Sequence, residues 1–147
     1  LDFIKNEKNE NLDEIIADSL IQEITSNYQN ISILQNDSKK ILIRKNQVKR
    51  ALINILDNAK KFAESIYLSS IIQNDNWIIS VEDDGPGTNL TEEQLIRPFV
   101  KGSEQLNQGT GLGLSIVQKL IKLNNGELKF EKSTYGGLKV IISFKTP

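Results

Sequence analysis

A run of glycines, Gly109-Thr110-Gly111-Leu112-Gly113-Leu114, feeds directly into the apolar-periodic stretch Ser115-Ile116-Val117-Gln118-Lys119-Leu120-Ile121. Any fold this chain adopts must put a glycine turn at the start of an amphipathic helix. Three glycines release backbone positions from the Cβ clash and let the chain approach another group closely. The helix start aims unpaired N–H groups and a positive dipole end at that turn. Such a place suits phosphate. A flexible turn before a helix explains the same residues with no ligand. Spacing narrows the fold further. A dinucleotide-binding βαβ unit needs its third glycine where Leu114 stands, and 102–108 reads as loop, not strand. A Walker loop ends in Gly-Lys-Ser/Thr, whereas Lys101-Gly102-Ser103 has the wrong order and lacks the upstream glycine.

The rest of the chain alternates between the two hydrophobic periods. Residues 1–9 are polar and charged apart from Leu1, Phe3 and Ile4, and read as a linker or the tail of a preceding helix. A first helix is expected from Asn11, where Asn11 and Glu14 have capping-box spacing and Leu12, Ile15, Ile16, Leu20 and Ile24 follow at helical intervals. Strands are expected at 31–33 and 41–43. A second helix spans about 47–63, with Asn46 as N-cap and an apolar stripe of Val48, Ala51, Leu52, Ile55, Leu56, Ala59, Phe62 and Ala63. Strands at 66–73 and 77–82 form a hairpin around Asn74-Asp75-Asn76. A short helix is expected at 91–95, and 100–108 is polar and loop-like. The helix after Gly113 ends near Leu123, where Asn124-Asn125-Gly126 forms a C-cap. Two last strands, 128–132 and 138–144, flank the turn Tyr135-Gly136-Gly137. There is no regular βαβ alternation. The pattern predicts an α+β, two-layer sandwich: a mixed, mostly antiparallel sheet covered on one face by about three helices.

With 147 residues, 38% hydrophobic and 25% charged, the chain can build one ordinary core. A net charge of −1 gives no reason to expect a nucleic-acid partner. No apolar run approaches the roughly 20 residues that span a bilayer, and no signal peptide is evident. The absence of cysteine removes disulfide and thiol chemistry, and the absence of histidine removes imidazole as base, ligand or phosphoacceptor. Because the chain starts at Leu1 and contains no methionine, we expect it to be a piece of a larger protein.

Three further constellations carry chemistry. Asn54, Asn58 and Lys61 share a face of the second helix at i, i+4 and i+7, away from the centre of its apolar stripe. A carboxamide oxygen can complete an Mg²⁺ shell otherwise made of water and phosphate, and a lysine one turn on can meet phosphate as a point charge. A solvated helix face is the plainer alternative. Next, a strand ends in Val81-Glu82-Asp83-Asp84-Gly85-Pro86-Gly87. Turn chemistry alone accounts for Asp-Gly-Pro-Gly. In the functional reading, a carboxylate accepts from an exocyclic amine while Gly85 and Gly87 let a flat ring lie on backbone. Asp83 is preferred because it sets an Asp-x-Gly-x-Gly spacing, with Asp84 its exposed neighbour. Finally, Arg97-Pro98-Phe99-Val100-Lys101-Gly102 leads into the polar loop, which reads either as a lid anchored by Phe99 or as ordinary surface loop.

The order of these pieces resembles the ATP-binding domain of sensor histidine kinases, in the superfamily that also holds DNA gyrase, the Hsp90 chaperones and the mismatch-repair ATPases. Asn54 to Phe62, Val81 to Gly87, Pro98 to Gly102 and Gly109 to Gln118 carry the likeness, which runs from about Asn11 to the end. The Pro98-Phe99-Val100-Lys101-Gly102 segment with its short lid is similar to the osmosensor branch. The resemblance implies that 10–147 is the catalytic domain and 1–9 a linker from a helical dimerisation domain. It implies ATP and Mg²⁺ as cofactors, with Asn58 holding the metal, Asn54 lining the phosphate channel, and Lys61 and Lys101 approaching the phosphates. Asp83 would read the adenine amine, Gly85 and Gly87 make room for the base, and Phe99 support the lid. Thr110, Gly111, Leu112, Gly113 and Leu114 would wrap the phosphates, with Gly102 and Gly109 also among the nucleotide-binding residues. Two residues depart from the pattern: Arg97 in place of an acid or other polar residue, and Thr88 in place of isoleucine.

Asn54 also separates branches. The gyrase and chaperone branches typically carry a water-activating glutamate there, and an amide is no useful base near neutral pH. The resemblance therefore implies phosphoryl transfer to an imidazole on a separate dimerisation domain rather than hydrolysis. Partners would be that phosphoacceptor domain and a response regulator. The isolated domain would be monomeric and cytoplasmic, its parent a homodimer in the bacterial inner membrane. A serine kinase of the anti-sigma type, a gyrase- or chaperone-type ATPase fragment and a non-catalytic nucleotide-sensing module are the competing readings.

Overall fold

Alternating apolar residues in β4, β5 and β7 build one wall of the core, and two amphipathic helices build the other. The computed structural model describes residues 10–88, 92–96 and 113–146. In chain order these form β1 (Asp13–Ile16), α1 (Ala17–Thr25), β2 (Ile31–Asn36), β3 (Lys40–Ile43), α2 (Lys45–Phe62), β4 (Ile66–Gln73) and β5 (Asn76–Asp83). There follow α3 (Glu92–Ile96), α4 (Gly113–Leu123), β6 (Glu127–Lys132) and β7 (Leu138–Lys145). The main sheet has the order β2-β4-β5-β7-β6. Only the β2/β4 pair is parallel, so the sheet is mixed and mostly antiparallel, as the sequence predicts.

Ile66 and Leu68 of β4, Trp77, Ile79 and Val81 of β5, and Val140, Ile142 and Phe144 of β7 are buried on the face that meets the helices. Val48, Ala51, Leu52, Ile55, Leu56 and Ala59 of α2 and Leu114, Val117, Leu120 and Ile121 of α4 pack against them. The indole of Trp77 is fully buried, and its Nε1–H donates to Ser70 Oγ at 2.8 Å, so neither polar group is left unpaired. Asn74 and Asp75 both have positive φ, 53° and 62°, which makes the β4–β5 connection a two-residue hairpin turn.

The expected helix from Asn11 is a correction. Residues 13–16 pair as a strand with β3, Ile15 opposite Ile41, and the helix starts only at Ala17. Leu12 and Ile16 are exposed, while Ala17, Leu20, Ile21 and Ile24 supply the buried helical stripe. The capping-box spacing of Asn11 and Glu14 is outweighed by cross-strand pairing with a segment nearly thirty residues on, which local spacing cannot register.

The second helix starts two residues early, and its cap is not Asn46. Both carboxylate oxygens of Glu10 accept backbone N–H bonds at its first turn, from Asn46 at 2.7 Å and Gln47 at 3.0 Å. At the end of α4 the expected cap is observed. Asn125 adopts φ 55°, with Asn125 N–H bonded to Lys122 O and Gly126 N–H to Ile121 O. Gly126 is needed for space, because a Cβ there would stand 2.5 Å from the Ser143 carbonyl oxygen.

Candidate functional site

The site is assembled at one end of α2, where β5 runs out. Trp77, Ile79, Val81 and Asp83 occupy successive inward positions of β5, so its last residue places a carboxylate on the core side of the sheet. Asp83 is 7% exposed. Its Oδ1 accepts from Gly85 N–H at 3.0 Å and from Leu138 N–H at 3.3 Å. Burial raises the Asp83 carboxyl above the ordinary carboxylate range; the two N–H donors pull it back only in part, and neighbouring Asp84 adds to the rise.

Asp84 is exposed and has a structural task that its sequence reading lacked. Its Oδ1 accepts from Glu64 and Ser65 N–H, both at 3.0 Å, and its own N–H donates to Ser65 O. These bonds bind the β5 exit to the segment just after α2. Gly85 lies so close to the end of α2 that a Cβ would meet the Phe62 carbonyl oxygen at 2.8 Å. Gly87 has φ 75°, and its Cβ would come within 3.3 Å of Gly136 O. Backbone packing thus demands both glycines before any ligand is considered.

The structure therefore brings the Asp83–Gly87 segment against the end of the helix that carries Asn54, Asn58 and Lys61. Asn54 and Asn58 are half-buried and Lys61 is exposed. One turn away from Asn54, Asp57 accepts from Tyr28 O–H at 2.7 Å. Burial first, and that bond second, push the phenol far above its ordinary range, so it remains a donor. Among the described residues, no group of three or more acidic, histidine or cysteine side chains can cage a metal ion. A lone carboxamide such as Asn58 fits Mg²⁺ that keeps most of its water and phosphate oxygens, not a metal held by protein alone.

Gly113 and Leu114 open α4, which packs in the core beside α2. The Leu114 side chain is 5% exposed within the core, so any contact it offers a phosphate comes from its backbone. A Cβ on Gly113 would meet nothing within 4 Å. Phe99, Lys101, Gly102, Gly109, Thr110, Gly111 and Leu112, along with Arg97, lie outside the described residues.

The sequence marks Tyr135-Gly136-Gly137 only as a turn before the last strand, and the structure brings that turn against Asp83. Gly137 N–H donates to Asp83 O at 3.0 Å, and a Cβ on Gly137 would land on Asp83 Oδ1. The Gly-Gly pair was visible in the sequence, but its partner is more than fifty positions away, and local spacing cannot show such a contact.

This arrangement of helices and sheet is matched in known proteins. Residues 43–147 match the family described as histidine kinase-, DNA gyrase B- and HSP90-like ATPase, and the chain belongs to that family. The sensor histidine kinase CpxA of Escherichia coli (strain K12) is 38% identical over 102 residues, 66% of this chain and 22% of CpxA. The histidine kinase domain of the E. coli osmosensor EnvZ is 30% identical with a TM-score of 0.67, over 94% of this chain and 89% of that one. Full-length ShkA in complex with AMPPNP shares the fold at a TM-score of 0.76 and 22% identity, over 92% of this chain and 32% of that one. The chain spans about a quarter of the length of the curated relatives it matches, 22% of CpxA and 28% of GtrS of Pseudomonas aeruginosa. It is thus an ATP-binding domain of the sensor histidine kinase type.

Proposed function

We propose that this chain holds Mg-ATP between the end of β5 and the polar face of α2 and presents the γ-phosphoryl group to a histidine outside the chain. The observation that carries the reading is Asp83: a buried carboxylate at the end of β5, anchored through Oδ1 by two backbone donors beside the end of α2. Asp83 reads the adenine amine, and Gly85 and Gly87 flank the base. Asn54 and Asn58 face the phosphates from α2, with Asn58 as protein ligand to Mg²⁺, whose role when bound is to neutralise phosphate charge. Lys61 and Lys101 approach the phosphates, and the Gly102 and Gly109–Leu114 backbone wraps them beneath a lid that Phe99 supports.

Asn54 cannot activate water, and the chain has no histidine, so binding and orientation are its part of the reaction. An imidazole nitrogen delivered by another domain attacks the γ-phosphorus, and ADP leaves with the bridging oxygen. In this reading 10–147 is the catalytic domain and 1–9 the linker. The acceptor histidine sits on the dimerisation domain of a homodimeric parent in the bacterial inner membrane, and a response regulator takes the phosphoryl group onward. The capping of α2 by Glu10 supports starting the domain at residue 10.

Two measurements test this. Calorimetry with a non-hydrolysable ATP analogue should show binding strengthened by Mg²⁺. Labelled ATP should give base-stable, acid-labile label only when a histidine-bearing dimerisation domain is added. Steady ATP turnover by this chain alone, abolished in Asn54→Ala, would instead support a gyrase- or chaperone-type ATPase.

A further inference from the structure

The reverse face of the sheet, opposite the candidate nucleotide pocket, carries a second polar and aromatic assembly. Glu82, next to Asp83, points the other way. Its Oε1 accepts from Ser133 O–H at 3.1 Å and Thr134 N–H at 3.3 Å. Ser133 is 5% exposed; its Oγ accepts from Tyr135 N–H at 3.0 Å, and its N–H donates to Gly137 O at 2.8 Å. The Tyr135 ring stacks on Tyr67 of β4, centroids 3.7 Å apart and planes 9° from parallel. Tyr67 is the β4 partner of Glu82, so stack and carboxylate hold the β6–β7 turn from the same side.

The turn closes on Asp83 from the pocket side. Gly137 N–H binds the Asp83 carbonyl and Leu138 N–H binds its Oδ1. Gly137, the last residue of this turn, lies directly against the Asp83 carboxylate, where a Cβ would stand on Oδ1, and the Leu138 donor follows it in the chain. The β6–β7 ladder runs from Glu127 opposite Ser143 to Lys132 opposite Leu138, so the ladder holds Leu138 while the contacts of Glu82 and Tyr67 hold the turn that carries Gly137.

We infer that Tyr135 and Glu82 are positioning residues for base recognition: by fixing the 133–137 turn from behind the sheet, they set the rotamer of Asp83 and hence selection for a purine bearing an exocyclic amine. This rests on the adenine-pocket reading of Asp83. Neither residue touches the nucleotide.

The test compares calorimetric binding of non-hydrolysable ATP and ITP analogues to this 147-residue chain, since hypoxanthine lacks the amine. Wild type should prefer the adenine analogue. Tyr135→Ala and Glu82→Ala should each weaken adenine binding about tenfold, the scale of one disturbed bond to a charged group, and leave ITP binding unchanged. Tyr135→Phe, which keeps the stack, should bind as wild type. Tyr135 is 39% exposed, so its truncation removes little core. Wild-type selectivity in both alanine variants overturns the proposal, and so does parallel loss of both analogues, which reports general loosening. A wild type that binds neither analogue, or binds both alike, overturns the adenine-pocket reading itself.

Discussion

Asp83 is the residue on which the proposed base recognition rests, and its environment makes two predictions. Asp83→Asn removes a charged acceptor, and hydrogen bonds to charged groups contribute about 1.5–3 kcal/mol, so adenine-nucleotide affinity should fall about tenfold to a hundredfold by calorimetry. Unchanged affinity would overturn its assignment to the base. Stability of the nucleotide-free chain should respond differently. Burial holds the Asp83 carboxyl above its ordinary range. A carboxyl with a raised folded-state pKa favours folding in its protonated form; that contribution is fully present below the unfolded pKa and is lost as pH rises through the folded one. The asparagine lacks it. Wild-type stability relative to Asp83→Asn should thus decline from acid pH through the carboxylate range and level off near neutrality, as read by denaturant melts. A difference that grows with pH would mean that the Gly85 and Leu138 donors outweigh burial. Gly137 sharpens the same point. Gly137→Ala puts a methyl group onto the carboxylate oxygen, and overpacking of this kind costs about 1–3 kcal/mol. Adenine binding should fall with it.

At the scale of elements, the long periodic segments were legible and the non-local ones were not. The stripe through Val48, Leu52, Ile55 and Ala59 identified α2, and Asn74-Asp75 identified the hairpin, because in each the determining contacts lie within a few residues. β1 misled because Leu12, Ile15 and Ile16 fit a helical stripe, and only Ile41 opposite Ile15 makes the segment a strand. The site divides the same way. The Asp83-x-Gly85-x-Gly87 spacing announced itself, whereas the Leu138 donor is a backbone group brought in by sheet register, which no side-chain pattern reports. Glu10 shows the consequence for stability. It caps α2 across 36 residues, and its carboxylate sits at the positive end of the helix that carries Asn54 and Asn58. Glu10→Ala should cost about 1 kcal/mol in a chemical melt, the usual loss for a removed helix cap. A variant as stable as wild type would show that the two N–H groups find water at no cost.

The whole molecule joins these parts through one core. α2 and α4 lie side by side against the sheet, and Asn124 at the end of α4 donates to the buried Gln47 in the first turn of α2 at 2.7 Å. The ends of these helices remote from the candidate site are thus tied together, and their other ends, Asn58–Lys61 on α2 and Gly113 on α4, are those the proposed function assigns to the nucleotide. A ligand that bridges those ends binds only the folded chain, so it must stabilise the molecule by linkage. At a free concentration one hundred times Kd the gain is about 2.7 kcal/mol. With a non-hydrolysable ATP analogue this should raise the melting temperature, and more so with Mg²⁺ than with a chelator present. Asn58→Ala removes the protein's one proposed metal ligand while leaving Asp83 and its donors in place. The analogue should still raise the melting temperature of that variant, but the increment due to Mg²⁺ should shrink. An Asn58→Ala chain with the full Mg²⁺ increment would move the metal off α2. A chain that lost the response to the analogue altogether would place Asn58 in nucleotide binding itself, independent of metal.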